Sequence, residues 1–522
     1  MARHDSDRPH TIAFTRRTAL RGAAGLAAAS FTSPWWSPAV MAQSTPDASP
    51  VGLSFPVLLE EGPIKIYDYG VALPTDDVTF RFADHQGIRV PFQEALHAAF
   101  TKVHSNISIS YDSLGADLSE LLVVGVQSGD AHDIMPMNAG FPLAQGVAEG
   151  WLAPLDEVIP DFANWKAAYP ENTFLPGVNE FDGKTYACPM FSAKLHRNLM
   201  YFNADLMAQA GYDPAAKPLT WDEFRDSAKK ITEAGGYGFA NAGGPGANFV
   251  VTLAEIAGAH GGEFNWLTGD FNYTSDQFLG AVELMQAMND DKSFMPGMAS
   301  ITDTDVRAKF PEGQIGTYIS GTWNVSIWEE AAPDFAYGVA SAPVPNEGEA
   351  WPLSKVPGTG EGYVVYSGSD YKPVAGALLR YIGSLEGNVA LKEISKSINP
   401  VAFPEADKLV VTSDNGKAAL ALNESQLRFA PHPAVRNVET TKAEMKRRSV
   451  TPNLNDIVNG IFSGQIEDPK AALQDLQDRS NAELERAIKE AQDEGAQVSR
   501  EDWKFSNWDP KQDYTLEMYE AL

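Results

Sequence analysis

An α/β protein of more than one lobe is what this sequence predicts, and three observations lead there. Strand-like and helix-like periods alternate from Val78 to Met137 at the spacing of a βαβαβ unit. The 522 residues are 44% hydrophobic and 10% aromatic, which suits a large core and a length of two or more lobes. The only cysteine is Cys188, which rules out an intramolecular disulfide, a CxxC pair and an iron–sulfur cluster.

The elements justify themselves in order. Thr15-Arg16-Arg17-Thr18-Ala19-Leu20-Arg21 precedes a weakly apolar, alanine-rich run from Gly22 to Phe31 and resembles a twin-arginine export signal. Val40-Met41-Ala42 offers small residues at the two positions a signal peptidase reads, so cleavage is expected before Gln43. The run is too short and too alanine-rich to span a membrane. From Gln43 to about Asp77 the chain carries Ser, Pro and Asp with few regular periods and reads as a linker or surface extension.

Val78 to Ala83 then reads as a strand ending in Asp84-His85-Gln86-Gly87. Pro91 opens a helix whose Phe92, Leu96, Phe100 and Val103 recur at helical spacing. A second strand follows at Ile107 to Tyr111, a helix through Leu118, Leu122 and Val126, and a third strand at Asp133 to Met137. Such a unit builds a parallel sheet, and ligands of open parallel sheets gather beyond the carboxyl ends of the strands. Asp84 to Gly87, Ser113 to Gly115 and Asn138 occupy those ends.

Composition excludes several functions. The formal charge is −29, and the signal segment, with five arginines against two aspartates, hides a still more acidic remainder. Nucleic acid and anionic lipid are therefore excluded as expected partners. The nine histidines show no HExxH or HxH spacing, so no metal or cofactor is expected. Gly177 to Thr185 imitates a phosphate-binding loop, but five residues separate its glycines where that loop uses four. No GxSxG elbow is present.

Further segments carry a family resemblance. Asp182-Gly183-Lys184-Thr185-Tyr186, Tyr201-Phe202-Asn203-Ala204-Asp205-Leu206, Ala210-Gly211-Tyr212-Asp213-Pro214 and Thr220-Trp221-Asp222-Glu223-Phe224 follow one another in order. Gly321-Thr322-Trp323, Tyr337-Gly338 and the glycine-rich Gly358 to Tyr363 come later, and Glu467-Asp468-Pro469 precedes a final helix. The series resembles the extracellular solute-binding proteins that serve sugar-importing ABC transporters, from about Val78 to Leu484, leaving Ala406 to Lys446 poorly covered.

The resemblance implies a two-lobed periplasmic binding protein fold, each lobe a mostly parallel sheet flanked by helices, joined by hinge crossings. The implied layout is a signal peptide at 1–42, a linker or N-terminal extension at 43–77, a first lobe at 78–189 with about 358–400, a second lobe at 190–357 with about 401–465, and a C-terminal helix and tail at 466–522. It implies a non-enzymatic, monomeric periplasmic protein that delivers a mono-, di- or oligosaccharide or a polyol to a membrane permease with its cytoplasmic ATPase, after export through the twin-arginine translocase.

Sugar recognition needs planar polar groups and an aromatic platform. Trp323 is the expected platform, with Asp84, Gln86, Asn138, Glu361 and Asp133 as polar contacts and Tyr186 and Tyr363 as further aromatics. An anionic solute would instead look to Lys194 and Arg197. An exported carbohydrate-active or cofactor-dependent enzyme is the alternative reading.

Overall fold

Phe80 and Phe82 alternate along an eight-residue strand, and burial of their shared face sets the first sheet. The computed structural model describes residues 56–522 except 86, 116–117, 138–141, 245 and 411. The export segment, Gln86 and Asn138 lie outside the described residues. The strand Val78–His85 pairs in parallel with Ile107–Leu114 on one side and Ile134–Pro136 on the other. Tyr363–Tyr366, from far along the chain, runs antiparallel between Ile134–Pro136 and Leu152–Ala153 and completes five strands.

The helix Val90–Val103 buries Phe92, Leu96 and Phe100 on that sheet, at roughly 2 kcal/mol for each large apolar side chain withdrawn from water. The first strand runs two residues past its expected end, so Asp84 falls on the same face as Phe80 and Phe82. The stretch expected as a linker contains a hairpin, Val57–Glu60 with Ile66–Asp68. Ile64 and Ile66 are buried in the first core, and Lys65 and Tyr67 donate to Glu386 at 2.6 and 2.7 Å. This hairpin belongs to the first lobe.

A second sheet has the order Tyr237–Ala240, Ile315–Ser320, Leu199–Asn203, Tyr337–Ala340. It is mixed. Tyr237–Ala240 and Ile315–Ser320 are parallel, while Leu199–Asn203, the strand on which the chain enters this lobe, opposes both its neighbours. The helix Trp221–Glu233 covers it and starts with a capping box, in which Thr220 Oγ1 accepts from the Glu223 N–H at 3.2 Å and Glu223 accepts from the Thr220 N–H at 2.9 Å. Such a cap contributes about 1 kcal/mol.

The chain leaves the first sheet after Cys188 and returns to it at Tyr363, where the two strands bridge. On the later passage Ile398 packs in a second-lobe cluster, but Val401, Phe403 and Ala406 sit in the first-lobe core. The helix Pro404–Leu409 thus packs with the first lobe, beyond the expected limit near 400, and Ala419 of the helix Asp414–Gln426 returns to the second.

The helix Pro469–Asp493 begins where the sequence places it, with Asp468 Oδ1 accepting from the Ala471 N–H at 3.0 Å. The tail after it folds back, and Trp503, Trp508 and Tyr514 are buried with Leu484 and Ile488 in one cluster. No helix among the described residues is long and apolar enough to cross a membrane.

Candidate functional site

The carboxyl ends of three strands meet one cavity of about 1480 Å³, reached by His85 and Met137 from the first lobe and Trp323 from the second. Trp323 follows the strand Ile315–Ser320 through a tight turn at Gly321-Thr322. The turn is held from both sides. Tyr201 Oη donates to the Gly321 carbonyl at 2.7 Å, and Thr322 Oγ1 donates to Asn399 Oδ1 at 2.6 Å. Only a hydrogen fits beneath the indole, since a Cβ on Gly321 would lie 2.0 Å from the Trp323 ring. The ring itself remains partly exposed.

The glycine-rich return to the first lobe lines the same cavity. Gly360 and Glu361 both take positive φ, 65° and 48°, a left-handed turn that costs a non-glycine residue of order 1 kcal/mol. Gly362 is forced by proximity, because a Cβ there would stand 2.0 Å from the Cys188 carbonyl. The turn presents Glu361 to Arg197, which donates to its carboxylate, while Arg89 Nη1 donates to its carbonyl at 2.9 Å. The Arg197 guanidinium lies 6.0 Å from the Trp323 ring centroid.

Lys355 also lines the cavity, and among the described residues no carboxylate comes within 4.0 Å of its ammonium. Burial lowers its pKa, Glu255 opposes that and Arg197 adds to it. Glu255 is itself pushed up to about 7, first by burial, against the pull of the Ser354 N–H and of Lys355. In all, five cations (Arg89, Arg197, Arg307, Lys355 and Arg447) face the cavity against three carboxylates, Glu263, Glu361 and Glu444. Four of the five are ion-paired, Arg89 with Asp84, Arg197 with Glu361, Arg307 with Asp303 and Arg447 with Glu444, which leaves Lys355 as the lining cation without a carboxylate partner among the described residues.

Of the residues singled out in the sequence, Trp323 and Glu361 line the cavity. Asp84, Asp133, Tyr186 and Tyr363 do not, for reasons visible in their partners. Asp84 is fully buried, accepting from Tyr363 Oη at 2.7 Å and lying 3.4 Å from Arg89 Nε. Burial first, then the Asp84 charge, pushes the Tyr363 phenol well above its ordinary value, so it stays a donor. Asp133 ties neighbouring segments of the sheet together, accepting from the Arg81 N–H at 2.8 Å and Ser369 Oγ at 2.6 Å. Tyr186 packs beside Phe181. These placements are at odds with contact roles for the four.

Arg197 lines the cavity as the anionic alternative anticipates, whereas Lys194 pairs with Asp513 over the Phe429 ring. Sequence reasoning missed Arg89, two residues past the strand-end loop it had singled out, and it missed Lys355 and the helix Thr440–Lys446. Among the described residues no cluster of three or more His, Cys, Asp or Glu could hold a metal ion.

Two α/β lobes with such a cavity between them form a cleft able to take a small solute. A family model described as bacterial extracellular solute-binding protein matches residues 83–389, more than half of the 522, and the chain belongs to that family. Among curated proteins it is similar to the sn-glycerol-3-phosphate-binding periplasmic protein UgpB of Agrobacterium fabrum, 24% identical over 370 residues, covering 68% of this chain and 79% of that one.

Among solved structures it shares its fold with a Thermotoga lettingae ABC transporter solute-binding protein bound with alpha-D-tagatose (TM-score 0.59, 20% identity, 78% of this chain and 100% of the other). It also shares it with the GacH receptor of Streptomyces glaucescens, solved unliganded and with acarbose (TM-score 0.58, 18% identity, 78% and 98%).

Proposed function

We propose that the protein is the periplasmic solute-binding component of an ABC importer, capturing a carbohydrate or polyol between its lobes and presenting it to a membrane permease. The observation that carries this reading is the partly exposed Trp323 ring set beside Arg197 and Glu361 at the junction of the lobes. An aromatic face covers the CH side of a sugar ring, and adjacent charged groups hydrogen-bond its hydroxyls. Gln86 and Asn138 are proposed as further contacts from the first-lobe strand ends. Solute touching both lobes stabilises the closed form, which the permease recognises. The residues Arg16 and Arg17 support export of the folded monomer by the twin-arginine route, with cleavage near Ala42.

Lys355, which lines the cavity without an ion-pair partner among the described residues, supports a second, narrower reading, in which the sugar or polyol carries a phosphate or carboxylate. UgpB, the relative from Agrobacterium fabrum, is named for such a solute. Thermal unfolding against a panel of neutral and phosphorylated sugars and polyols tests both. A binder at 100 times its Kd stabilises the protein by about 2.7 kcal/mol. Stabilisation by neutral sugars alone overturns the anionic reading; stabilisation by none of the panel at millimolar concentration overturns the carbohydrate reading.

A further inference from the structure

One wall of the cavity is carried by the second lobe yet touches the first. The strand Leu427–Phe429 pairs in parallel with Leu353–Lys355, and Leu353 and Leu427 are buried in the second-lobe core. The chain then turns through the short helix Pro433–Arg436 into the helix Thr440–Lys446. Ala443 of that helix packs with Leu484 of the helix Pro469–Asp493, whose Leu473 and Leu476 continue into the same second-lobe core. The tail pins the turn as well. Tyr519 Oη accepts from the His432 N–H at 2.7 Å, Arg436 Nη1 donates to the Glu501 and Lys504 carbonyls at 2.6 Å, and Asn437 Nδ2 donates to the Gln497 carbonyl at 2.8 Å.

Held this way, the segment meets the first lobe at two places. Ala434 lies against Gly177, so closely that a Cβ on the glycine would stand 2.5 Å from the Ala434 side chain and 2.9 Å from its carbonyl oxygen. Gly177, Val178 and Ala434 are all buried. The Gly177 turn is firmly tied, with its N–H donating to the Glu180 carbonyl at 2.8 Å and Asn179 donating to the Thr173 carbonyl at 2.8 Å. The second place is the helix Leu143–Ala148. It follows the strand Ile134–Pro136, on the cleft side of its carboxyl end, and packs against the helix Thr440–Lys446. Leu143, Ala144 and Gln145 line the cavity from the first lobe, and Thr441, Glu444 and Met445 line it from the second.

Neither contact runs through the crossings, which bridge at Cys188 with Tyr363 and at Phe191 with Val401. A hinge opens by turning one lobe against the other, so contacts made outside the crossings must part before the cleft can widen. These join protein surfaces that are fitted to one another, and no solute is needed to form them. We infer that residues 430–446 are a strap, carried by the second lobe, that holds the cleft shut against the first lobe, so that solute entry waits on release of the Ala434 and Gly177 contact. The inference goes beyond the proposed function, because it concerns how the cleft opens whatever solute it takes.

The test is small-angle scattering and amide hydrogen exchange on the mature full-length chain with no sugar added. Ala434→Leu and Gly177→Ala drive the same contact apart, one from each side. Wild type is expected to give the scattering profile of the closed arrangement. Each variant is expected to enlarge the radius of gyration and to speed exchange about tenfold in residues 142–148 and 440–446, while the strands Val78–His85 and Ile315–Ser320 exchange at their wild-type rate. Should one substitution disturb its own lobe, faster exchange in that lobe's strand identifies it, and the other variant decides. A wild-type profile that is already open, or a radius and exchange that neither variant moves, overturns the strap. Both outcomes leave the reading of the solute standing, since no solute takes part.

Discussion

Two charged groups of residues flank the cleft, and they differ in what satisfies them. On the first lobe the Asp84 carboxylate receives Tyr363 Oη at 2.7 Å, the His85 N–H at 2.7 Å and Tyr111 Oη at 3.4 Å, with Arg89 beside it; Asp84, Tyr363 and Arg89 are buried, and His85 and Tyr111 half-buried. Its bonding capacity is used internally. On the second lobe and the crossings, the Arg197 and Glu361 side chains are 52% and 37% exposed, and Lys355 has no carboxylate within ion-pair distance among the described residues. A carboxylate removed from water must be fully partnered by the protein, whereas donors left open at a cavity wall are available to a solute. Position at a strand end does not separate the two cases; the inventory of partners does.

The largest expected effects come from breaking each group in turn. Asp84→Ala strands Arg89 in the interior, and removing one member of a buried ion pair costs about 3–5 kcal/mol. Trp323→Ala should leave unfolding by urea close to wild type while lowering solute affinity about a hundredfold, or about 2.8 kcal/mol. Denaturant unfolding and calorimetry on both variants check the contrast. Wild-type stability with lost binding in Asp84→Ala would move that residue from the structural group to the solute-binding one.

Much of this was legible beforehand. The βαβαβ unit could be read because Phe80 and Phe82 repeat every two residues and Phe92, Leu96 and Phe100 follow a helical turn. Asp468 with Pro469 announced the last long helix by its capping chemistry. The inward turn of Asp84 was also present in the sequence, in its even spacing from Phe80 and Phe82, but only once the strand is known to run to His85. Lys355 and Met445 were not legible. Lys355 is placed by a strand that pairs with Leu427–Phe429, and Met445 by a helix resting on a second helix some forty residues later. Contacts of that range leave no local period to read.

Glu255 sharpens the comparison through pH. Its carboxyl, near 4.5 when unfolded, is raised to about 7 in the fold, chiefly by burial. Between those values the folded protein holds a proton that the unfolded chain has released. The stability contribution of Glu255 is therefore greatest below pH 4.5 and is lost as pH rises toward 7, by about 3 kcal/mol. Buried His97, His196 and His432, lowered to about 3, 4 and 4, act in the opposite direction as pH falls below 6.5, so the difference between wild type and Glu255→Gln isolates the carboxyl. That difference should widen in favour of the variant between pH 5 and 8. A difference independent of pH would show Glu255 to be already ionised, giving Lys355 a counter-charge and removing its claim to be open to an anionic solute.

The smallest change bears on the position of one ring. Gly321 has no left-handed backbone angle to preserve, so alanine is conformationally acceptable there; the obstacle is the Trp323 ring, 2.0 Å from the added Cβ. The backbone around it is pinned through the Gly321 carbonyl to Tyr201 and through Thr322 to Asn399. Gly321→Ala should therefore swing the indole away and leave the strand in place, lowering solute affinity about tenfold, or about 1.4 kcal/mol, with the unfolding midpoint nearly unchanged. Indole fluorescence reports the movement and calorimetry the affinity. A displaced ring with undiminished binding would place the solute on other groups of the cleft, and the open donors Arg197 and Lys355 would then hold it without an aromatic platform.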